Sequence, residues 1–283
     1  MTWMQAAILG LVQGITEFLP ISSSGHLAVV RQLLGLSDAA GNDLLFDVLL
    51  HFATLFAVFV VYRRDIIGII HEVPEMLHPR SARRGKRPDQ LRRRLLLLLM
   101  VGTLPLAFVI PVKGQLEALG GNLLAISGAL LLTGVLLFFA DRVAQGKKDE
   151  RVMTPADAFL IGLAQAVAVI PGISRSGTTI SAGLLRGMER SFSVKFSFLL
   201  SVPAILGATL LELAGAVQAL ASGDGALNAV LLAKYLFGML IAGAAGYFSM
   251  RFLKFVARRN AFGGFAYYCW GAGLFAFALS LAS

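Results

Sequence analysis

The chain has 283 residues, of which 57% are hydrophobic and only 14% are charged, and its mean hydropathy is +0.76. Soluble domains usually carry about 25% charged residues, so this composition excludes a water-soluble globular protein. It predicts an all-α polytopic membrane protein, because the short alternating segments of an outer-membrane barrel are absent from the sequence. The formal net charge of +9 raises the question of nucleic acid as a partner.

The first element, residues 3–36, consists of two apolar arms separated by the polar stretch "FLPISSSGHL" at 18–27. At about 1.5 Å per residue, each arm is too short to cross about 30 Å of hydrocarbon. We therefore predict a re-entrant helical hairpin whose tip lies near the middle of the membrane. Irregular backbone at that depth is tolerated only where it is buried in protein or lines a wet cavity.

Three apolar spans follow the first broken region, and a second broken region at 156–188 carries the related stretch "IPGISRSGTT" at 170–179. Three more spans complete the chain. The prediction is six transmembrane helices plus two re-entrant hairpins, with the spans at 46–62, 95–112, 123–140, 194–213, 229–250 and 262–282.

The basic residues are concentrated on one side of this topology. Four connections hold 21 of the 25 Lys and Arg residues, and the largest is a predicted basic cytoplasmic loop at 63–94. Placing all four in the cytoplasm lets every span alternate correctly, as the positive-inside rule requires. The charge therefore indicates membrane orientation and contact with lipid headgroups, and no nucleic-acid partner is expected.

The two broken regions also match each other in sequence. A fixed offset of 152 positions aligns Gly10 with Gly162, Gln13 with Gln165, and Ser24-Gly25 with Ser176-Gly177. Since each hairpin is followed by an odd number of spans, the second copy must be inverted relative to the first. We predict a single membrane domain, 1–283, built from inverted repeats at approximately 1–141 and 154–283, with a binding site where the broken helices meet.

The two tips have the chemistry of a phosphate site. Each ends in a Ser-x-Ser-Gly turn before a new helical arm, and helix N-termini favour anions. Arg175 adds a guanidinium that can grip phosphate through two hydrogen bonds. Close helix packing is the alternative role for the small residues, but an arginine at this depth favours function. The predicted hydroxyl groups of the pocket are those of Ser22, Ser23, Ser24, Ser174 and Ser176.

Glu17 has two interpretations that the residues leave open. It pairs with Arg175 as a structural bridge, or it binds a divalent cation, since Mg²⁺ is usually held by one or two carboxylates together with substrate phosphates. Gln13 lies one helical turn earlier on the same face, where its amide oxygen joins or orients the site, or else serves packing.

His26 follows Ser23 by three residues, so a helix that begins there places both on one face. A serine with a histidine is the minimum set for nucleophilic attack with help from a general base. His51, in the middle of a predicted span, is interpreted as a polar residue with satisfied hydrogen bonds.

The two polar stretches and their surroundings resemble a known family. "QGITEFLPISSSGH" (13–26) and "PGISRSGTT" (171–179) are similar to the two signature motifs of the bacterial undecaprenyl-diphosphatase family, also called bacitracin-resistance proteins. The similarity covers essentially the whole chain, including "FSFLLSVPAILGA" at 196–208.

The resemblance implies a multi-pass enzyme of the bacterial inner membrane that removes the terminal phosphate from undecaprenyl diphosphate. The product, undecaprenyl phosphate, is recycled for peptidoglycan and other envelope polymers, and its formation confers resistance to bacitracin. The resemblance also implies dependence on Mg²⁺ or Ca²⁺ and a site that opens mainly to the periplasmic side.

Carried over by motif, Glu17 is the residue linked to metal and catalysis. The first motif usually has Glu or Gln followed by Glu, and this chain has Gln13, so a site with two carboxylates is not expected. Ser23, His26 and water all stay open as the nucleophile. The motifs also carry over Ser22, Ser23 and His26 from the first loop and Ser174, Arg175 and Thr178 from the second. Together with the chemistry of the tips, this predicts catalysis by Glu17, Ser23, His26 and Arg175, and phosphate binding by Ser22, Ser24, Gly25, Ser174, Arg175, Ser176, Gly177 and Thr178.

Two further hypotheses accompany this interpretation. Inverted repeats with broken helices are common in transporters, so a polyprenyl-phosphate or anion transporter, or a flippase, is the alternative function. A second copy of the chain is a candidate partner, forming a homodimer.

Overall fold

The computed structural model describes residues 1–36, 42–77, 89–143, 146–221, 229–259 and 262–282. Within these ranges the regular structure is helical, apart from one isolated β-bridge between Lys148 and Met188. The predicted all-α class is confirmed. The α-helices are α1 (Trp3–Phe18), α2 (Ser23–Leu33), α3 (Asn42–Val61), α4 (Arg63–Leu77), α5 (Gln90–Thr103), α6 (Lys113–Ala118), α7 (Leu123–Arg142), α8 (Pro155–Val167), α9 (Arg175–Leu185), α10 (Arg190–Ala221), α11 (Ala229–Arg258) and α12 (Gly263–Ala282).

Five helical segments of the described chain are long and apolar enough to cross a membrane, and the bent pair formed by α3 and α4 makes up to six. Large apolar side chains on these segments are exposed, such as Leu281 on α12, at 74%, and Leu240 on α11, at 73%. Exposed apolar surface on this scale indicates contact with lipid. The protein is therefore a multi-pass membrane protein. The five segments are Gln90–Leu116, Leu123–Arg142, Arg190–Gly215, Ala229–Arg258 and Gly263–Ala282.

The predicted span 46–62 corresponds to α3, whereas the predicted loop 63–94 needs correction. The chain bends by 90° after α3 and continues directly as α4, so most of the described part of the loop is helical, and 78–88 lie outside the described residues. The pattern of α4 explains this, because Ile66 is buried while Arg63 and Arg64 are exposed, as in helices that lie in the membrane interface.

The predicted span 95–112 is not one continuous α-helix. Helix α5 ends at Thr103, and the chain continues as short 3₁₀ segments at Leu104–Phe108 and Ile110–Val112. Pro105 and Pro111 lie near the starts of these segments. Proline has no N–H to donate to the preceding turn, so the α-helical hydrogen bonds cannot continue through them.

Both predicted hairpins consist of two short helices with a break between them. Helix α1 is followed by α2 and α8 by α9. The first helix of each pair begins with a capping box, formed by Thr2 with Gln5 in α1 and by Thr154 with Asp157 in α8. In a capping box the two side chains each accept a hydrogen bond from the other residue's backbone N–H, which stabilises the helix start.

Each hairpin packs closely against one long helix through a glycine pair. A Cβ atom placed on Gly10 of α1 would lie 2.3 Å from the carbonyl oxygen of Gly238 in α11. One placed on Gly162 of α8 would lie 2.2 Å from the carbonyl oxygen of Gly102 in α5. Small residues let helix backbones approach this closely in membranes, and these contacts pack α1 against α11 and α8 against α5.

Candidate active site

The two breaks end in the same type of serine cap, although the cap residues differ in backbone conformation, with φ of 70° at Ser22 and −74° at Ser174. Ser22 caps α2, and its Oγ accepts a hydrogen bond from the Gly25 N–H at 3.2 Å. Ser174 caps α9, and its Oγ accepts from the Gly177 N–H at 3.0 Å. These caps satisfy one of the N–H groups that each helix start leaves without an internal partner. Ser22 has a φ of 70°, a conformation that L-residues with side chains seldom adopt.

The two tips interlock by contacts that run in both directions. Ser24 Oγ of the first tip accepts from the Gly172 N–H of the second at 3.1 Å. Ser176 Oγ of the second tip donates to the Leu19 carbonyl of the first at 3.0 Å. A Cβ on Gly177 would lie 3.2 Å from the Pro20 carbonyl oxygen of the first tip and 3.0 Å from Ser174 of its own tip, so a residue without a side chain allows this close packing.

Glu17 is the centre of the polar site that forms where the tips meet. Its Oε2 atom accepts from Ser23 Oγ at 2.7 Å and from Gln13 Nε2 at 2.9 Å. His51 Nδ1 lies 3.2 Å from the same oxygen. The other oxygen, Oε1, forms an ion pair with Arg175 from the second tip. The carboxylate is 2% exposed, so these partners replace its lost hydration.

A cavity of about 1100 Å³ opens from this cluster. Its polar end is formed by residues of both tips and of α3, and most of its remaining wall is apolar and comes from α4, α5, the 3₁₀ segments and α10. One large cavity thus combines charged groups with a long apolar surface. Its polar lining includes Glu17, Ser23, Ser24, Asp47, His51, Gln165, Ser174 and Arg175.

The predicted site residues therefore divide into two groups. Glu17, Ser23, Ser24, Ser174 and Arg175 line the cavity together. The remaining predicted phosphate-binding residues, Ser22, Gly25, Ser176, Gly177 and Thr178, lie in the tips themselves, where their hydrogen bonds shape the two turns.

His26 lies apart from Ser23 in its hydrogen bonding. Its Nδ1 atom is 2.6 Å from the Ser22 carbonyl oxygen, which only accepts, so Nδ1 carries the proton. Its Nε2 atom is 2.9 Å from the Tyr268 hydroxyl, and the two rings are stacked. The predicted pairing of Ser23 with His26 is thus not formed here, and Glu17 accepts from Ser23 instead.

The donor groups around Glu17 bear on whether the site suits a divalent cation. No group of three or more His, Cys, Asp or Glu side chains suited to a metal occurs among the described residues. Gln13 Oε1, however, is buried without a hydrogen-bond partner in the described part of the chain, and Gln13 Nε2 contacts Glu17. An amide oxygen and a carboxylate fit Mg²⁺ or Ca²⁺ when phosphate oxygens complete the ligand set.

A family model described as "Bacitracin resistance protein BacA" matches residues 6–275. The chain belongs to this family. Curated relatives with the name undecaprenyl-diphosphatase include proteins of Alkaliphilus metalliredigens, 40% identical over 99% of this chain and 100% of the relative, and of Carboxydothermus hydrogenoformans, 39% identical over 97% and 96%. A relative of the same name from Methanobrevibacter smithii is 36% identical over 97% of this chain and 96% of the relative.

Two residues of the site on α3 were not assigned to it from the sequence. His51 was interpreted as a satisfied polar residue, and it does have partners, but those partners are Gln13, at 2.9 Å, and Glu17. Asp47 lies one turn earlier on the same helix and is paired with Arg31 of α2. Two ionisable residues four positions apart within an apolar span indicate a functional site. That pattern would have assigned both Asp47 and His51 to the site from the sequence.

Proposed function

We propose that the protein hydrolyses undecaprenyl diphosphate to undecaprenyl phosphate and inorganic phosphate. The observation that carries the proposal is the contact between Ser23, Glu17 and Arg175 at the polar end of a mostly apolar cavity. Such a cavity suits a substrate with a charged head and a long prenyl tail. The names of the family relatives support the same substrate. The product feeds peptidoglycan and envelope polymer synthesis, and its formation confers bacitracin resistance.

In the proposed first step, Ser23 Oγ attacks the terminal phosphorus and passes its proton to Glu17, which lies 2.7 Å away. The bond between the terminal phosphorus and the bridging oxygen breaks, and its electron pair leaves with undecaprenyl phosphate. Glu17 gives the serine proton to the leaving undecaprenyl phosphate and is ionised again. Water then attacks the phosphoserine, with Glu17 accepting the proton of the water and returning it to Ser23 Oγ as the bond between phosphorus and Oγ breaks. This releases inorganic phosphate and restores the serine hydroxyl.

In the proposed cycle, Arg175 binds two partners in turn, first Glu17 and then the diphosphate. Without substrate it neutralises Glu17. When the diphosphate binds, its oxygens compete with Glu17 for the guanidinium, which can grip phosphate with two parallel hydrogen bonds. Transfer of Arg175 to the phosphate frees the carboxylate to act as a base and stabilises the charge that develops on the phosphoryl oxygens.

His26 is proposed as a residue that positions the first tip. Its Nδ1–H holds the carbonyl of Ser22, the residue before the nucleophile. Its Nε2 lone pair, which a general base would use, faces the Tyr268 hydroxyl. His26 therefore acts through the orientation of Ser23 in this proposal.

The proposal includes a divalent cation, Mg²⁺ or Ca²⁺, held by Glu17 and by Gln13 Oε1 with substrate phosphates. When bound, it neutralises charge on the diphosphate and on the leaving phosphate. The unpartnered state of Gln13 Oε1 among the described residues supports this placement.

We further propose the inverted-repeat architecture, with six spans and two re-entrant hairpins in the bacterial inner membrane and a site open mainly to the periplasm. The capping boxes at Thr2 and Thr154, the two glycine contacts and the reciprocal tip contacts support it. A homodimer stays a prediction that a mass measurement in detergent would test.

The test is an assay of phosphate release from undecaprenyl diphosphate by the purified full-length protein, with and without Mg²⁺. Wild type is expected to release phosphate in a metal-dependent manner. Ser23→Ala is expected to lower the rate of phosphate release by a factor of about 10² to 10⁴. Ser280→Ala on α12, whose hydroxyl donates to the carbonyl of Phe277, is the control. Absence of phosphate release together with lipid movement in vesicles would favour the transporter instead.

A further inference from the structure

Gln165 is a buried residue for which neither the fold nor the proposed mechanism accounts. It lies on α8 shortly before the break, and it is 1% exposed. Both its Nε2 and its Oε1 atoms lack a hydrogen-bond partner among the described residues. Buried amides are nearly always hydrogen-bonded, because leaving one unpaired is unfavourable.

The amide lines the same cavity as the active-site cluster. Gln165 contributes to its wall together with Ser174 and Arg175. Both amide atoms are covered by protein atoms, so a change of side-chain rotamer is needed to bring them to a ligand in this cavity. A polar side chain that is unpaired within the described chain and belongs to the wall of a cavity for an anionic head is placed to make that contact. The donor N–H groups of the amide suit a phosphoryl oxygen.

Gln13 is the residue that matches Gln165 at the offset of 152, and its amide nitrogen has partners where that of Gln165 has none among the described residues. Gln13 Nε2 has Glu17 and His51 as partners, each at 2.9 Å. The position that matches Glu17 in the second region is Val169, which offers no polar group.

The position that matches His51, at the offset of 150 that aligns the following spans, is Ser201. Its hydroxyl donates to the Phe198 carbonyl within its own helix, at 2.7 Å. The second region has therefore kept the amide and lost both of the side chains that hold its counterpart.

We infer that Gln165 is a further substrate-binding residue, whose Nε2–H donates to a phosphoryl oxygen of the bound diphosphate. This inference rests on the proposed function. It places one donor from each arm of the second hairpin on the same ligand, Gln165 before the break and Arg175 after it. The oxygen belongs to the phosphate that stays on the lipid or to the one that is released, and product inhibition distinguishes the two.

The experiment compares full-length wild type with Gln165→Leu, which has a similar size but no polar atoms, and with Gln165→Glu, which keeps the shape and adds a negative charge. Ser181→Ala is the control, because Ser181 is also buried with an unpartnered hydroxyl but is absent from the cavity wall. KM, kcat, the thermal midpoint, and inhibition by undecaprenyl phosphate and by inorganic phosphate are measured for each.

For Gln165→Leu, the expected result is a KM raised about tenfold or more, because a hydrogen bond to a charged group is lost, with kcat changed less. Its thermal midpoint should not fall, since an unpaired amide has been removed. Gln165→Glu should raise KM further. The product whose inhibition weakens in Gln165→Leu contains the contacted phosphate. Ser181→Ala should match wild type.

Unchanged KM and unchanged inhibition by both products in Gln165→Leu would overturn the inference while leaving the proposed function standing. If wild type released no phosphate, the proposed function would fail. The thermal shift caused by undecaprenyl phosphate or inorganic phosphate, compared between wild type and Gln165→Leu, would then still decide whether Gln165 binds phosphate. Should Gln165→Leu fail to fold, Gln165→Glu provides the same comparison.

Discussion

The tip around Gly25 and the tip around Gly177 share a serine cap, and they differ in the conformation of the cap residue and in chemistry. Each has a serine cap that accepts from a glycine N–H. At the first helical position, however, one tip carries Ser23 and the other Arg175, and both of these side chains contact Glu17. Both caps help to form the pocket, and the residues that follow them differ in the role we propose, with the nucleophile on one side and the phosphate-binding cation on the other.

The largest expected effect comes from the cation of the second tip. Arg175→Ala removes the partner of Glu17 and the guanidinium proposed to hold phosphate, so phosphate release should fall by about 10³ or more. Arg175→Lys keeps the charge without the two-pronged geometry and should recover only part of the rate. A near-native rate in Arg175→Ala would break the proposed division between the tips.

Gly10 and Gly162 pack the two hairpins against neighbouring helices, and substitution of either should lower the free energy of unfolding by a similar amount. Gly10→Ala and Gly162→Ala each bring a methyl group against a backbone carbonyl, and each should lower the free energy of unfolding by about 1–3 kcal/mol. The matched control is Gly128→Ala on α7, where a Cβ meets nothing within 4 Å and a gain of about 0.5–1 kcal/mol is expected. Thermal unfolding in detergent measures all three. A large loss of stability in only one of the two variants would show that the hairpins do not depend equally on close helix packing.

His26 tests whether the first tip contains a base or a positioning residue. His26→Ala should lower phosphate release by about tenfold, because the hydrogen bond to the Ser22 carbonyl is lost. His26→Asn keeps a donor near the Nδ1 position and should recover much of the rate. Equal and complete loss in both variants would instead make His26 the general base.

The smallest expected effects concern the hydrogen bonds between the tips. Ser24→Ala and Ser176→Ala each remove one contact across the interface. Each should cost about 1 kcal/mol of stability, which corresponds to about a fivefold change in the unfolding equilibrium. The double variant should deviate from the sum of the single variants, because both bonds hold the same interface. Strict additivity would show that the two contacts act independently.

The sequence predicted much of this arrangement because its signals are local. Serine and glycine spacing identified both turns, and the charge of Arg175 within an apolar region identified a functional group. The sequence did not reveal that the chain continues as α4 after the 90° bend, because the charged residues Arg63, Arg64 and Asp65 that begin α4 equally indicate the start of a loop. It also did not assign Asp47 and His51 to the site, because their contacts with α1 and α2 join residues far apart in the chain.

The sequence by itself determined the membrane environment, the helical class, the positions of the two breaks and the residue types offered at each tip, since composition and periodicity depend only on neighbouring residues. Only the tertiary structure decided which groups touch. It placed Ser23 on Glu17 rather than on His26, and it left Gln165 in the cavity wall with an amide that has no partner among the described residues. Those pairings depend on how helices from distant parts of the chain pack against one another, and no local pattern encodes that geometry.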